Sequence, residues 1–194
     1  MKLLFTGASG FLGSNVRPLL EGMYGVKTVG LSPKDDYTID IAKEIPVLRE
    51  RYDIVLHVAG KAHSVPKTEA ERQVFFDVNL QGTKNLCTAL ERRRVPRAFI
   101  FISTVAVYGC AYGENITEDH PLDGDTPYAM SKRLAEEYLQ KWCYEHNVIL
   151  GIIRPSLIAG PNPPGNLGAM IHGIRSGKYL SIAGGQARKS VLMV

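Results

Sequence analysis

Tyr128 and Lys132 stand four residues apart at the start of an amphipathic stretch, so on a helix both side chains leave the same face one turn apart. The chemistry of such a pair is proton transfer. A phenol starting near pKa ~10 is a poor base at neutral pH, and a neighbouring ammonium draws it toward the working range while keeping donors to spare for a ribose. The same spacing occurs on helix surfaces that do no chemistry, so the pair takes its meaning from its surroundings. Ser103 and Thr104 follow the apolar run from Ala98 to Ile102, at the carboxyl end of a predicted buried strand, where open α/β sheets bind their ligands. Thr104 is the stronger candidate for orienting a substrate oxygen, since Ser103 could merely satisfy backbone.

A second constellation lies near the amino terminus. Thr6-Gly7-Ala8-Ser9-Gly10-Phe11-Leu12-Gly13 follows a short apolar run and opens an apolar-periodic segment, which puts three glycines on a strand-to-helix turn. Gly7 allows the tight turn, Gly10 lets an anion approach without a Cβ in the way, and Gly13 brings helix and strand together, while free N–H groups at the helix start face the ligand. The arrangement is a cradle for a dinucleotide pyrophosphate. The acidic residue expected about 20 residues later, on a ribose 2′-hydroxyl, is missing from the end of the second strand. Ser32-Pro33-Lys34 stands there instead. A small hydroxyl and a cation tolerate a 2′-phosphate, which favours NADP(H) mildly over NAD, although Asp35 or Asp36 could swing in.

These residues need a scaffold that brings strand ends together. Apolar runs at 2–5, 27–31, 54–58, 98–102 and 149–153 alternate with longer segments of helical spacing, the signature of βαβ units and a parallel sheet. The runs lack polar alternation, as strands covered on both faces do. The fold class is therefore α/β, a Rossmann-type doubly wound parallel sheet with helices on both faces. Helices are predicted from Phe11 to Met23, from Tyr128 to His146 and from Ala169 to Arg175; Thr126 can cap the second, Pro127 suits its first turn, and Leu134, Tyr138, Leu139 and Trp142 form its apolar face. Residues 1–160 read as the dinucleotide-binding domain. Residues 161–194 read as the start of a substrate-binding region whose lobe is incomplete, because a last strand, Val191 to Val194, stops mid-pattern.

The 194 residues suffice for one domain with a full core. Three cysteines, Cys87, Cys110 and Cys143, make no disulfide framework, and no Cys/His cluster suggests a metal, which points to a reducing, cytoplasmic setting. The net charge of +4 is spread out, unlike the dense stripe of nucleic-acid binders, and Arg92-Arg93-Arg94 reads as a solvated helix end. The uncharged run from Ala98 to Gly113 is too short and too polar to span a membrane. His57, at a strand end, reads as a satisfied structural histidine; His63, Glu118 and Asp119 are likewise left out of the catalytic set.

Taken together, TGxxGxxG, the run Ser103 to Gly109 ending in Val107-Tyr108-Gly109, Pro127-Tyr128-Ala129-Met130-Ser131-Lys132 and Arg154-Pro155 resemble the extended short-chain dehydrogenase/reductase family, in particular its nucleotide-sugar epimerases, dehydratases and reductases. Asp40-Ile41, His57-Val58-Ala59-Gly60, Asn79 with Gly82-Thr83, and Thr117 to Pro121 extend the likeness over the whole chain. The resemblance implies that Gly7, Ser9, Gly10, Phe11, Leu12 and Gly13 line the pyrophosphate, that Ser32 and Lys34 lie toward the adenosine ribose, and that Asp40 and Ile41 hold the adenine. It places Ala59, Gly60, Lys61, Ser103, Pro155 and Ser156 along the cofactor and Asn79 behind it. Tyr128 would be the general base or acid, Lys132 would bind the nicotinamide ribose and depress the tyrosine pKa, and Thr104 would hold the reacting sugar oxygen. Val105 and Ala106, which follow Thr104, transfer no protons, so an epimerase or 4-ketoreductase acting on a UDP-sugar is expected rather than a dehydratase, with a cofactor-binding module without turnover or a reductase of a non-sugar ketone as the alternatives. The resemblance also implies a homodimer paired through the Tyr128 helix and the helix around Gly82 to Leu90.

Overall fold

Strand β1 (Lys2–Thr6) lies at the centre of a parallel sheet, flanked by β2 (Gly25–Gly30) and β4 (Ile54–His57). Beyond them stand β3 (Tyr37–Thr38) on one side and β5 (Ala98–Ile102) and β6 (Ile149–Ile153) on the other, giving the order β3-β2-β1-β4-β5-β6. This is the doubly wound arrangement, and its order reverses between β1 and β4, the crevice where such sheets take ligands. The computed structural model describes residues 1–62, 64–179 and 188–194. His63 and part of the stretch from Gly173 to Arg188 fall outside them.

One face of the sheet is fully covered. Helices α3 (Gly82–Arg93) and α4 (Pro127–Glu145) pack there, with α2 (Glu69–Phe76) against α4, and Leu4, Val29, Val55, Phe99 and Phe101 meet Leu86, Leu90, Leu139 and Trp142 in the core. The other face carries α1 (Phe11–Glu21), and the β4–β6 half of it is only partly covered. Leu12, Val16 and Leu20 of α1 border an apolar hollow of about 290 Å³ whose far wall includes Leu56, Ile102, Ile153 and Pro155. The absence of polar alternation in the strands thus describes apolar residues on both faces, and among the described residues the second face is not sealed.

The helix that matters most starts where its sequence dictates. Thr126 is its N-cap, accepting the Ala129 N–H at 3.1 Å, and Pro127 occupies the first turn, where it sacrifices no hydrogen bond. Between α2 and α3 the chain passes through a π-helical turn, Asp77–Gln81, whose extra width turns Asn79 fully inward. A 3₁₀ turn, Val105–Tyr108, follows β5, capped by Thr104 and ended by Gly109 at φ +71°. After β6 the chain leaves the main sheet: β7 (Leu157–Ala159) pairs in parallel with β8 (Val191–Met193), with α5 (Gly165–Arg175) between them. Helix α5 begins four residues before the predicted Ala169, and β2 covers 25–30 rather than 27–31 because Gly25 is in register with Lys2.

Candidate active site

The carboxyl edge of the sheet gathers both constellations. Gly7 leaves β1 at φ +74°, and a Cβ there would lie 2.5 Å from the Ala59 backbone nitrogen, so the turn after β1 and the turn after β4 touch at this point. At Gly13 a Cβ would lie 2.1 Å from the Gly7 carbonyl oxygen, the close helix–strand approach expected of it. Gly10 is exposed and serves as the N-cap of α1 with no side chain on the cap and no acid in the first turn, leaving the opening N–H groups for an anion. Ser9 is exposed beside it; Phe11 and Leu12 contribute backbone at the helix start, and the Leu12 side chain points down into the apolar hollow.

Behind the turn runs a chain of hydrogen bonds with a fixed direction. Thr83 gives its hydroxyl proton to the Asn79 carbonyl at 2.6 Å, so it accepts from His57 Nε2–H at 2.9 Å. The other ring nitrogen, Nδ1, then accepts from the Thr6 hydroxyl at 2.6 Å, and that oxygen accepts the Ala59 N–H at 3.2 Å. Burial, with a smaller push from the Lys132 charge, holds His57 neutral down to about 3. It is a satisfied structural histidine. Asn79 carries the chain onward: its side chain pairs with both backbone groups of Lys61, at 2.8 and 3.1 Å, and donates to Ser131 Oγ at 2.9 Å. Ser131 in turn donates to the Tyr128 carbonyl at 2.8 Å.

Lys132 is 3% exposed, donates to the Ile102 carbonyl at 2.8 Å and sits over the Phe101 ring. Its ammonium reaches the loop after β4, since a Cβ on Gly60 would lie 3.1 Å from Nζ. Burial lowers its pKa to about 8, opposed by Glu136 one turn further along α4. Tyr128 packs against Phe75, and α4 packs against the 3₁₀ turn that Thr104 caps. Burial raises the Tyr128 pKa above its ordinary value and Thr104 pulls it down, while the Lys132 ammonium is held at Ile102 and Phe101 on β5. Among the described residues Ser103, 3% exposed, has no partner for its hydroxyl oxygen, an orphaned buried group at the strand end that would be satisfied by a ligand atom.

The strand end after β2 needs correction, because it does hold an acid. The chain reverses at Ser32, and Asp35 returns to the strand end, where a carboxylate oxygen accepts the Ser32 N–H at 3.0 Å and lies against Gly30. Lys34 is exposed, its backbone N–H given to Ser32 Oγ. Asp36 turns the other way, bound to Lys27 and Thr28. Beyond β3, Asp40 caps the turn at Ala42, while the Ile41 side chain is buried against Gly82 and its carbonyl accepts from Asn85. Pro155 accepts the Val105 N–H at 3.2 Å, which keeps it and the half-buried Ser156 beside the Thr104 turn.

The uncapped helix start, the bare backbone at Gly10 and the orphaned Ser103 hydroxyl fit a dinucleotide lying across the switch point. Residues 3–194 match the NAD dependent epimerase/dehydratase family, and the chain belongs to it. It is 31% identical over 200 residues to the N-acetyl-alpha-D-glucosaminyl-diphospho-ditrans,octacis-undecaprenol 4-epimerase of Escherichia coli O157:H7, covering 99% of this chain and 59% of that protein. Among solved structures, UDP-glucose 4-epimerase of Thermotoga maritima with UDP-glucose superposes with a TM-score of 0.82 at 24% identity, over 100% of this chain and 69% of that one. The UDP-glucose 4-epimerase of Thermus thermophilus in complex with NAD gives 0.72 at 26% identity, over 89% of this chain and 61% of that one. The chain is thus related to NAD-dependent enzymes and spans 59% of the length of the E. coli relative. Among the described residues no helix is long and apolar enough to cross a membrane.

Proposed function

We propose that this chain carries the cofactor-binding and proton-transfer part of an NAD(P)-dependent nucleotide-sugar epimerase or 4-ketoreductase, with a UDP-sugar as substrate. The observation that supports this best is the packing of α4, which carries Tyr128 near its start, on the turn capped by Thr104 at the carboxyl edge, with the Lys132 ammonium held at the Ile102 carbonyl and close to Gly60. Thr104 holds the reacting sugar oxygen and Tyr128 exchanges the proton on it, while a bound nicotinamide would supply or accept hydride at the attached carbon. Lys132 offers its remaining donors to a ribose. Burial keeps the phenol protonated, which suits delivery of a proton to a ketone oxygen; a positive charge brought beside it favours the phenolate needed for the reverse step. Val105 and Ala106 beside Thr104 carry no proton, which speaks against dehydration.

Ser32 and Lys34 favour a 2′-phosphate and hence NADP(H), and the carboxylate of Asp35 at the same strand end opposes it. Residues 1–160 form the dinucleotide-binding domain in this reading and 161–194 the start of the substrate-binding region. Pairing through α3 and α4 would make a homodimer, and the free cysteines Cys87, Cys110 and Cys143 suit a reducing cytoplasm. A second reading, a cofactor-binding module without turnover, is favoured by the uncapped helix start at Gly10 and the orphaned Ser103 hydroxyl, which serve cofactor binding alone. Incubation with NADPH or NADH and UDP-sugars separates them. Turnover abolished by Tyr128→Phe supports the enzyme, cofactor binding without turnover supports the module, and no dinucleotide binding overturns both.

A further inference from the structure

Helix α4 carries a third charged or polar group in line with the first two. Tyr128, Lys132 and Glu136 follow one another at successive turns of one face, and the Glu136 side chain is 1% exposed. A carboxylate buried that deeply needs a partner, and it has one in Arg154, the residue after β6. Arg154 Nε donates to Oε1 at 3.1 Å and Oε2 at 3.2 Å, and Nη2 donates to Oε2 at 2.6 Å. The remaining arm, Nη1, donates to the Tyr108 hydroxyl at 3.0 Å and to the Glu118 carbonyl at 3.1 Å, with the guanidinium lying over the Tyr108 ring. One fork therefore joins the helix of Tyr128 and Lys132, the end of β6, the turn led by Thr104 and the loop at Glu118.

We propose that Glu136 and Arg154 are positioning residues: their buried pair holds the rim from Thr104 to Glu118 against α4 and sets the charge environment of Lys132. The proposal rests on the reading of Thr104, Tyr128 and Lys132 given above. A buried ion pair adds little net stability compared with apolar residues of the same volume, so its effect is expected in placement and protonation rather than in melting temperature alone. Among the described residues the groups facing Lys132 are the neutral His57 on β4, the neutral Asn79 of the π-helical turn, the Phe101 ring on β5, and Tyr128 and Glu136 on its own helix. Glu136, one turn along the same helix, is the acid that acts on it, and its carboxylate is held by Arg154.

The test uses the full chain and two readouts that need neither cofactor nor turnover: the titration of the Lys132 side-chain amine by heteronuclear NMR, and amide hydrogen exchange over residues 104–121. Glu136→Gln should lower the Lys132 midpoint by about one pH unit, a tenfold loss of proton affinity, and speed exchange at the rim about tenfold. Arg154→Lys keeps the charge and loses the fork, so rim exchange should rise while the Lys132 midpoint stays. Glu136→Asp should restore the midpoint. If Glu136→Gln does not fold, Arg154→Lys and Glu136→Asp still decide. An unmoved midpoint in Glu136→Gln, a midpoint not kept in Glu136→Asp, or an unchanged rim in Arg154→Lys overturns the proposal. NAD binding to the unmodified chain, measured alongside, tests the functional reading separately: the clamp can stand while cofactor binding fails, and the reverse.

Discussion

Acid should destabilise this fold through His57, and the size of the effect follows from its surroundings. The ring is completely buried between Thr6 and Thr83 and stays neutral down to about 3. In an unfolded chain an imidazole titrates near pKa ~6.5, so below that pH the unfolded state takes up a proton the folded state refuses. The contribution is therefore complete above about pH 6.5 and is lost as the pH falls toward about 3, at about 1.4 kcal/mol per pH unit and on the order of 4–5 kcal/mol in all. Asp36, where Lys27 and Thr28 outweigh the opposing effect of burial, and Glu50, paired with Lys2, have lowered pKa values and also lose stability in acid, so the total is not diagnostic. The difference from His57→Gln is. Glutamine supplies one donor and one acceptor without titrating, and loses the ring's packing against Phe99 and Phe101, a cost of roughly 1–3 kcal/mol at pH 7. Urea unfolding followed by Trp142 fluorescence from pH 7.5 to 4.5 should show that gap closing and then reversing. A gap that stays constant across this range would refute the neutral buried ring and the directed hydrogen-bond chain built on it.

Gly13→Ala should cost at least ~3 kcal/mol or prevent folding, because the new Cβ meets the backbone of Gly7 and Ala8, which cannot yield as a side chain would; thermal unfolding measures it. Asp35→Asn should raise the affinity for NADP relative to NAD by about tenfold, the effect of removing one negative charge close to a phosphate, read by titrating each dinucleotide. Thr126→Ala should lower stability by ~1 kcal/mol in urea unfolding and loosen the first turn of α4, seen as faster amide exchange at Ala129.

The parts of the fold legible in the sequence are those set by local chemistry. β1 and β5 are apolar runs bounded by turn residues, and α4 announces its start with Thr126 and Pro127. Helix α2 is absent from the sequence reading although Thr68 and Glu71 form a capping pair at its start, with Thr68 accepting the Glu71 N–H; eight residues with a weak apolar face give no periodicity to follow. Strands β3 and β7, two and three residues long, exist because a neighbouring edge offers them partners, which no local pattern records. At the site, helical spacing marks Tyr128 and Lys132, and its strand end marks Thr104. The chain reversal at Ser32 obscures Asp35, and the separation of 18 positions from Glu136 to Arg154 obscures a pairing that exists only once β6 lies beside α4.

The π-helical turn at Asp77–Gln81 makes chain length, more than residue identity, the quantity under constraint there. A turn of this width takes in about one residue more than an α-helical turn of the same rotation, so excising one would close it to an ordinary turn and leave α2 and α3 in line. The loss would be local: the inward swing by which Asn79 grips Lys61 and sets its carbonyl at the Thr83 hydroxyl. A relative one residue shorter here would keep its helix and give up the tie to the loop after β4.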